Sequence, residues 1–322
     1  MKPRYFAWLL LVGMMVLAVG ASFSQNYPNK PIRIVTTAPG SGNDLVARLI
    51  ADGGLSESLG QPVIIDNRGI IAAEIALRAP PDGYTLLSYG SPLWISPLVR
   101  NVPWDPVKDY APITLTVNTP NLLVVHPSLP VKSVKELIAL AKARPGELNY
   151  GSSSTGSTPH LAAELFKAMA GVDIVRIPYK GSGPALNALI GGQVQLMFPN
   201  AGAASPHAKS GKLRALAVSS AQPSALAPGL PTMAASGLPG YESSSPFGVF
   251  APAKTPAALI NRLNREIVRV LNNAQVKERL FNAGVEVVGS SPGELAATVK
   301  SEMAKWGKLI KDADIRESKG QI

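Results

Sequence analysis

The sequence contains no cysteine. This absence excludes disulfide bonds, thiolate zinc sites, a cysteine nucleophile and a lipid anchor on an N-terminal cysteine. Histidine is nearly as scarce, because His126, His160 and His207 are the only three, and no two of them have the spacing of metal ligands on one helix. Neither a metal site nor a bound cofactor is therefore predicted.

Charged residues make up only 16% of the chain, and the two signs are unequal, with a formal net charge of +10. The lysines and arginines are scattered singly, without a basic run or accompanying aromatic residues, so no stripe that follows a phosphate backbone is predicted. A nucleic-acid partner is therefore not expected. A dispersed positive surface that attracts small anions fits this composition better.

The N-terminus has the pattern of a targeting segment. Lys2 and Arg4 precede an apolar run from Phe6 to Val19, and Gly20-Ala21 ends it with small residues. A short positive start, an apolar stretch and a small-residue exit predict a secretory signal peptide over residues 1–21 and a secreted mature chain. The alternative is a retained N-terminal anchor, although the run is short for a membrane span.

The remaining chain alternates short strands and helices. Strands are predicted over residues 32–38, 63–66 and 84–88 with helices between them, which favours a parallel sheet with helices on its faces. A second alternation extends from Leu122 to Ser219, and a final strand and helix segment follows from Phe247. The predicted fold class is therefore α/β with two lobes. Ligands of such folds bind beyond the carboxyl ends of the strands.

Three polar loops follow predicted strands, at residues 39–44, 150–158 and 179–183. Glycines let the backbone approach a ligand, free N–H groups in a first helical turn favour an anion, and hydroxyls can donate to carboxylate oxygens. Ordinary polar turns are the alternative interpretation. Lys180 could pair with an anion, although a lone lysine in a loop is usually solvated.

No catalytic constellation is evident. The chain has no Gly-x-Ser-x-Gly elbow and no Ser-x-x-Lys with its companion motifs. His160 falls in the first turn of a predicted helix, where a structural role is favoured over a catalytic one. Asp44 is interpreted as a helix cap. A binding protein is therefore predicted, and a secreted hydrolase or isomerase that uses His160 is the alternative from another class.

Several motifs together resemble one family, the Bug receptors, which are substrate-binding proteins of tripartite tricarboxylate transporters. The likeness covers essentially the whole predicted mature chain. The matching stretches are Tyr27–Arg33, Pro39–Asp44 followed by Ala47-Arg48, Pro81–Leu87, Asp105–Asp109, Pro178–Gly181, Gly192–Val194 and Gly211–Ala217.

This resemblance implies a monomeric periplasmic receptor of the two-lobed Venus-flytrap fold, type II-like, with a hinge between the lobes. Residues 22–117 and 244–322 would form one lobe and residues 118–243 the other. The expected ligand is a small organic anion, and the expected partner is a membrane permease of the tripartite tricarboxylate type or a sensor kinase. The residues expected to bind the ligand are Pro39, Gly40, Ser41, Gly42, Asn43, Asp44, Ser88, Gly90, Ser91, Ser152, Ser153, Ser154, Thr155, Gly156, Ser157, Thr158, Gly181, Ser182, Gly183 and Asn200.

Three departures from the family pattern bear on the ligand. Ser41 interrupts the usual consecutive glycines of the first loop, and Asn67-Arg68 is followed by a shorter, apolar stretch in place of the second carboxylate loop. Pro199 also replaces the aspartate that often precedes Asn200 in the family. An unpaired buried ammonium is costly, so a ligand without an α-amino group is predicted.

Overall fold

The chain forms two β-sheets, each covered by helices. The computed structural model describes residues 27–316, and the predicted signal peptide lies outside that range. The strands of the first sheet are β1 (Ile32–Thr36), β2 (Val63–Asn67), β3 (Thr85–Gly90), β4 (Tyr110–Pro120), β10 (Ser244–Pro252) and β11 (Glu286–Val287). Those of the second sheet are β5 (Leu122–Val125), β6 (Asn149–Ser152), β7 (Val175–Pro178), β8 (Leu196–Met197) and β9 (Arg214–Val218).

Both sheets have the same plan. The first has the strand order β11-β4-β10-β3-β1-β2, and the second β7-β6-β8-β5-β9. In the first sheet β1 is parallel to β2 and β3, whereas β10 is antiparallel to β3 and β4. In the second, β6 is parallel to β7 and β8, and β5 is antiparallel to β8 and β9. Each sheet therefore has a parallel portion extended by antiparallel strands.

Eleven α-helices cover these sheets in the described part of the chain. They are α1 (Gly42–Ile50), α2 (Ser56–Leu59), α3 (Ala72–Leu77), α4 (Pro92–Val99), α5 (Val134–Ala143), α6 (Thr158–Ala170), α7 (Ser182–Ile190), α8 (Ala201–Lys209), α9 (Ala257–Leu271), α10 (Ala274–Asn282) and α11 (Pro292–Asp312). We call the first sheet with α1–α4 and α9–α11 lobe 1, and the second sheet with α5–α8 lobe 2. None of the described helices is long and apolar enough to cross a membrane.

Side-chain alternation along the strands builds a core on each face of each sheet. Ile32 and Ile34 of β1 pack with α1, α9 and α10, whereas Val35 packs on the other face with α3, α4 and α11. In lobe 2, β5 alternates in the same way between a core with α5 and α6 and a core with α7 and α8. Period-two burial on both faces is what a sheet between two helix layers requires.

The chain passes between the lobes at two adjacent points. Asn121 lies between β4 and β5, and Ser243 immediately precedes β10. Asn121 donates its backbone N–H to Ser219 Oγ at 2.8 Å, and Ser243 donates its backbone N–H to the Ser219 carbonyl at 2.9 Å. Ser219 therefore ties the two crossing segments together. The lobe boundaries at residues 117/118 and 243/244 stay a prediction.

Several local predictions are confirmed and others are wrong. Ser133 caps α5 and the Ser291–Glu294 capping box opens α11, as the sequence predicts. Helix α1, however, is capped by Ser41 and begins at Gly42, so Asp44 is not its N-cap. The sequence interpretation also missed β4, α4, α8 and α10. Two of these helices contain an internal proline, which usually ends a helix.

A test of this architecture is the anchoring of the C-terminal helix to lobe 1. Trp306 of α11 is completely buried in the core that also contains Trp94 of α4. We expect Trp306→Ala to lower the free energy of unfolding by about 3–5 kcal/mol, since a large cavity remains. The matched control Lys300→Ala, exposed on the same helix, should change it by less than about 0.5 kcal/mol. Urea denaturation measures both, and equal small effects would contradict this packing.

Candidate functional site

Five helices begin on the side of the sheets where the chain crosses between the lobes, because β10 and β5 start at the crossings and run antiparallel to β3 and β8. Helices α1, α4, α6, α7 and α8 each follow a strand, respectively β1, β3, β6, β7 and β8. Across the border between the lobes, Ser91 Oγ at the start of α4 lies 3.3 Å from Thr158 Oγ1 at the start of α6. The first N–H groups of a helix have no intrahelical acceptor and carry a partial positive charge. This border is therefore suited to an anion.

The first predicted loop, residues 39–44, is fastened by its own side chains. Ser41 Oγ lies 2.6 Å from Thr37 Oγ1 and also accepts the Asp44 N–H at 3.3 Å. The Gly40 N–H donates to Asp44 Oδ2 at 2.8 Å. Ser41 and Asp44 are thus occupied in holding the loop. The N–H groups of Gly42 and Asn43, in the first turn of α1, remain as donors for a ligand.

Asn67 fastens the same loop from β2. Its Nδ2 donates to Asp44 Oδ1 at 2.8 Å and to the Thr37 carbonyl at 2.9 Å, while Arg48 donates to Asn67 Oδ1 and pairs with Asp44 at 2.9 Å. Burial alone would raise the pKa of Asp44, but the hydrogen bonds from Asn67, Gly40 and Arg48 outweigh it and lower that pKa. Asp44 is therefore a paired carboxylate.

The stretch after Asn67-Arg68 has no glycine-rich cradle. It forms a short 3-10 turn over Gly69–Ile71, in which Ile70 is 60% and Ile71 48% exposed. The structure thus places two exposed apolar side chains where the family pattern has its second carboxylate loop.

Phe247 lies against the glycines that border this site, and the sequence interpretation missed it. A Cβ on Gly42 would lie 3.0 Å from the Phe247 ring, and a Cβ on Gly90 would lie 2.7 Å from it. Both glycines are therefore needed for the ring to fit between the first loop and the end of β3. The strand around Phe247 was predicted, but a strand pattern alone does not show which loop a side chain meets.

Within the second predicted loop, residues 150–158, the part from Ser152 onward is held by Arg176, a residue that the sequence interpretation also missed. Arg176 on β7 donates Nε to Ser152 Oγ at 2.8 Å, Nη1 to Thr155 Oγ1 at 3.1 Å and Nη2 to the Ser153 carbonyl at 2.8 Å. The only available signal was its position two residues before the Pro178–Gly181 motif. Burial lowers the pKa of Arg176, against the opposing effects of Tyr150 and Glu164.

His160 supports this loop as a neutral residue. Its Nδ1 accepts the Gly156 N–H at 3.1 Å, which requires an unprotonated Nδ1. Burial, helped by the charges of Arg176 and Lys167, lowers the pKa of His160 to about 3. The predicted structural role of His160 therefore fits its geometry.

Residues 27–316 contain no group of three or more metal-ligating side chains that could hold a metal ion.

The other predicted residues lie along the same border. Ser88 Oγ is 3.5 Å from the Asn43 carbonyl, which joins the end of β3 to the first loop. Gly181 precedes α7, and Ser182 and Gly183 form its exposed first turn. Asn200 precedes α8, and its Oδ1 accepts from Asn121 at 3.3 Å and from Ser245 at 3.4 Å.

Six buried side-chain polar atoms within residues 27–316 lack a hydrogen-bond partner there, and they include Asn121 Oδ1 and Ser243 Oγ at the lobe crossings and two atoms at the starts of helices. The latter two are Asn43 Oδ1 in the first turn of α1 and Ser157 Oγ at the N-cap of α6. Buried polar atoms are rarely left unpaired, so an ordered water or a ligand atom at these positions would fit their chemistry. A cavity of about 500 Å³ lies elsewhere, between α8 and residues 226–230 of lobe 2, and contains none of the predicted ligand residues.

The pairing of Asp44 has a pH-dependent consequence. The unfolded chain takes up this proton near pH 3.8, whereas the folded protein takes it up only at lower pH. The stabilisation by Asp44 is therefore present above pH 3.8 and is lost as the pH falls through the lowered pKa of the folded state. We expect Asp44→Asn to cost about 1–3 kcal/mol at pH 7, and the difference from the unaltered protein to shrink at strongly acidic pH.

Urea denaturation at pH 7 and pH 3 checks this prediction. The control Asp52→Asn removes an exposed carboxylate from the segment just after α1. It should leave stability nearly unchanged at both pH values. A pH-independent cost of Asp44→Asn would show that charge pairing does not hold the loop.

The sequence and the fold are similar to those of several known proteins. The family model described as "Tripartite tricarboxylate transporter family receptor" matches residues 46–315. Protein BugT of Bordetella pertussis is 36% identical over 315 residues, with 94% of this chain and 96% of BugT covered. The R. palustris protein Rpa4515, solved with adipate, is 40% identical with a TM-score of 0.78, and the match covers 90% of this chain and 99% of that one.

MatC of Rhodopseudomonas palustris, solved with bound malate, is 29% identical with a TM-score of 0.72, and the match covers 88% of this chain and all of that one. These similarities agree with the two-lobed α/β fold. The family consists of substrate-binding receptors, so the alternative of a secreted hydrolase or isomerase does not hold. This chain belongs to the tripartite tricarboxylate transporter receptor family, to which the Bug proteins belong.

Proposed function

We propose that this protein captures a small organic carboxylate between its two lobes. The observation that carries the proposal is that α1, α4, α6, α7 and α8 all begin on the side of their sheets where the chain crosses between the lobes. Together they turn backbone N–H groups and positive dipole ends of both lobes toward that side. The related proteins solved with adipate and malate support a carboxylate as the ligand class.

The residues proposed to contact the ligand are those of the three polar loops, the end of β3 and Asn200. Within this set, the structure gives the side chains different tasks. Asp44, Ser41 and Ser152 are occupied in hydrogen bonds inside their own lobe, so they position neighbouring N–H groups. The free N–H groups of Gly42 and Asn43 are the donors to the first carboxylate.

The ligand is proposed to lack an α-amino group. Pro199 stands before Asn200, where an acidic residue would meet an ammonium. Asp44, the carboxylate of the first loop, already pairs with Arg48 at 2.9 Å and accepts from Asn67 at 2.8 Å. An ammonium at this border would therefore be desolvated without a free counter-ion.

Membership of the family supports a proposal for the cellular context. We propose cleavage after a signal peptide over residues 1–21, a monomeric periplasmic protein, and delivery of the ligand to a membrane permease of the tripartite tricarboxylate type. A sensor kinase is the alternative recipient of the closed, ligand-bound form. Hinge motion at the segments that Ser219 ties together would bring the lobes onto the ligand.

Thermal unfolding of the mature protein with a ligand panel tests the proposal. At a hundredfold excess over the dissociation constant, binding to the folded state alone adds about 2.7 kcal/mol of stability. We expect adipate, malate or another non-amino carboxylate to raise the melting temperature, and aspartate and glutamate to leave it unchanged.

Calorimetry on the stabilising compounds gives their affinities. A preference for aspartate or glutamate would contradict the assignment of a ligand without an amino group. Absence of binding across mono-, di- and tricarboxylates would contradict the proposed function.

A further inference from the structure

The cavity beside α8 lies within lobe 2 and has no part in the proposed capture of a ligand between the lobes. It measures about 500 Å³ and is bounded by the second half of α8, the region of β9 and residues 226–230. Pockets that bind small molecules usually measure about 300–1,000 Å³ and have mostly apolar walls with a few polar groups. This cavity therefore has the size of a small-molecule site.

The walls of this cavity are mainly apolar. Leu122 of β5, together with Leu213 and Ala215 at β9, forms one wall and belongs to or packs on the core that includes α7 and α8. Leu226 and Leu230 form the facing wall, and both are only half-buried. An apolar molecule in the cavity would cover the exposed parts of these leucines, which is favourable because it removes apolar surface from water.

Hydrogen bonds hold the facing wall in place. Ser205 Oγ on α8 donates to the Leu226 carbonyl at 3.3 Å, and the Leu226 N–H donates to Ser224 Oγ at 3.1 Å. The Leu230 N–H donates to the Ala227 carbonyl at 3.2 Å. The cavity is therefore formed before any ligand enters it, and little ordering of the chain would oppose binding.

The charged residues that line the cavity are both positive. Lys209 is exposed at the end of α8, and Arg214 is half-buried at the start of β9. Arg214 Nη1 donates to the Leu129 carbonyl at 3.1 Å and to the Val131 carbonyl at 2.9 Å, which are neutral acceptors. Neither cation pairs with a carboxylate of the described chain, and no aspartate or glutamate among residues 27–316 lines the cavity. The charge of the lining thus complements an anion.

The C-terminal end of α8 does not oppose an anion here. Free carbonyls at a helix end would repel one, but the turn after α8 occupies them. The Ala208 carbonyl accepts the Gly211 N–H at 3.1 Å, and the His207 carbonyl accepts the Leu213 N–H at 3.1 Å. Lys209, in the last turn, also has the charge that offsets the negative end of the helix dipole.

We propose that this cavity is a second binding site, for a monocarboxylate with an apolar body such as a medium-chain fatty acid. The apolar body lies between the β9 wall and residues 226–230, and the carboxylate lies at the opening beside Lys209. A second carboxylate on the apolar body would be desolvated without a partner, so dicarboxylates are disfavoured. The site is separate from the one proposed at the lobe border and does not depend on it.

Calorimetry with octanoate, below its micellar concentration, tests this site. We expect the unaltered mature protein to bind octanoate both alone and in the presence of excess adipate. Ala208→Phe, which adds a ring to the lining, should weaken octanoate binding by at least about tenfold and leave adipate binding unchanged. Lys209→Met should weaken octanoate binding by about threefold to fivefold and leave the binding of uncharged 1-octanol unchanged.

Two matched variants serve as controls. Ala203→Phe adds the same ring to an exposed position of α8 that does not line the cavity, and it should leave octanoate binding unchanged. Lys212→Met removes an exposed charge three residues from Lys209, also outside the lining, and should likewise have no effect. Because Lys209 is exposed, Lys209→Met tests the site even if Ala208→Phe lowers the stability of the protein.

Several results would overturn the inference. They are absence of octanoate binding, equal effects of Ala208→Phe and Ala203→Phe, binding of 1-octanol as tight as that of octanoate, and loss of octanoate binding in excess adipate, which would place octanoate at the lobe border. Failure of the proposed function is distinguishable from these results. If octanoate bound with the expected response to the variants while no carboxylate bound at the lobe border, the proposed function would fail and this site would stand.

Discussion

The direction of strand-to-helix connections is the constraint on which this structure depends. In both sheets, parallel strands end at the lobe border and the helices that follow them begin there. Every such helix leaves backbone N–H groups unpaired in its first turn, so the border accumulates donors and positive dipole ends. The crossings near Asn121 and Ser243 join the two sheets on that side, and Ser219 bonds to both crossing segments. An anion site is the natural use of that arrangement.

Side chains at this border mostly serve the backbone. Asp44 is a good example, because its carboxylate is occupied by Gly40, Asn67 and Arg48 and so fixes the turn from which α1 begins. His160 does the same for the second loop through the Gly156 N–H, and Arg176 does it through three bonds. Charged residues are thus used to shape polar loops, and a carboxylate ligand would meet mainly N–H and hydroxyl groups.

The sequence predicts much of this fold because its signals are local. Periodicity indicated the long helices and all of the described strands except β4, and the caps at Ser133 and Ser291 are confirmed. It failed at α4 and α8, where prolines within a helix are tolerated because tertiary packing outweighs propensity.

The candidate site, like the fold, could be predicted from the sequence only where its signals are local. The polar loops could be singled out because their glycines and hydroxyls are adjacent in sequence. Phe247 and Arg176 could not, because their roles come from contacts between segments far apart in the chain. Register and side-chain direction determine those contacts, and neither can be read from one strand alone.

A crystal structure of the mature protein with adipate tests the central claim most directly. We expect the ligand at the lobe border, with one carboxylate within about 2.7–3.2 Å of the Gly42 or Asn43 N–H groups and the other at residues 152–158. Adipate bound in the cavity beside α8, or on the outer surface of either lobe with the border empty, would contradict it.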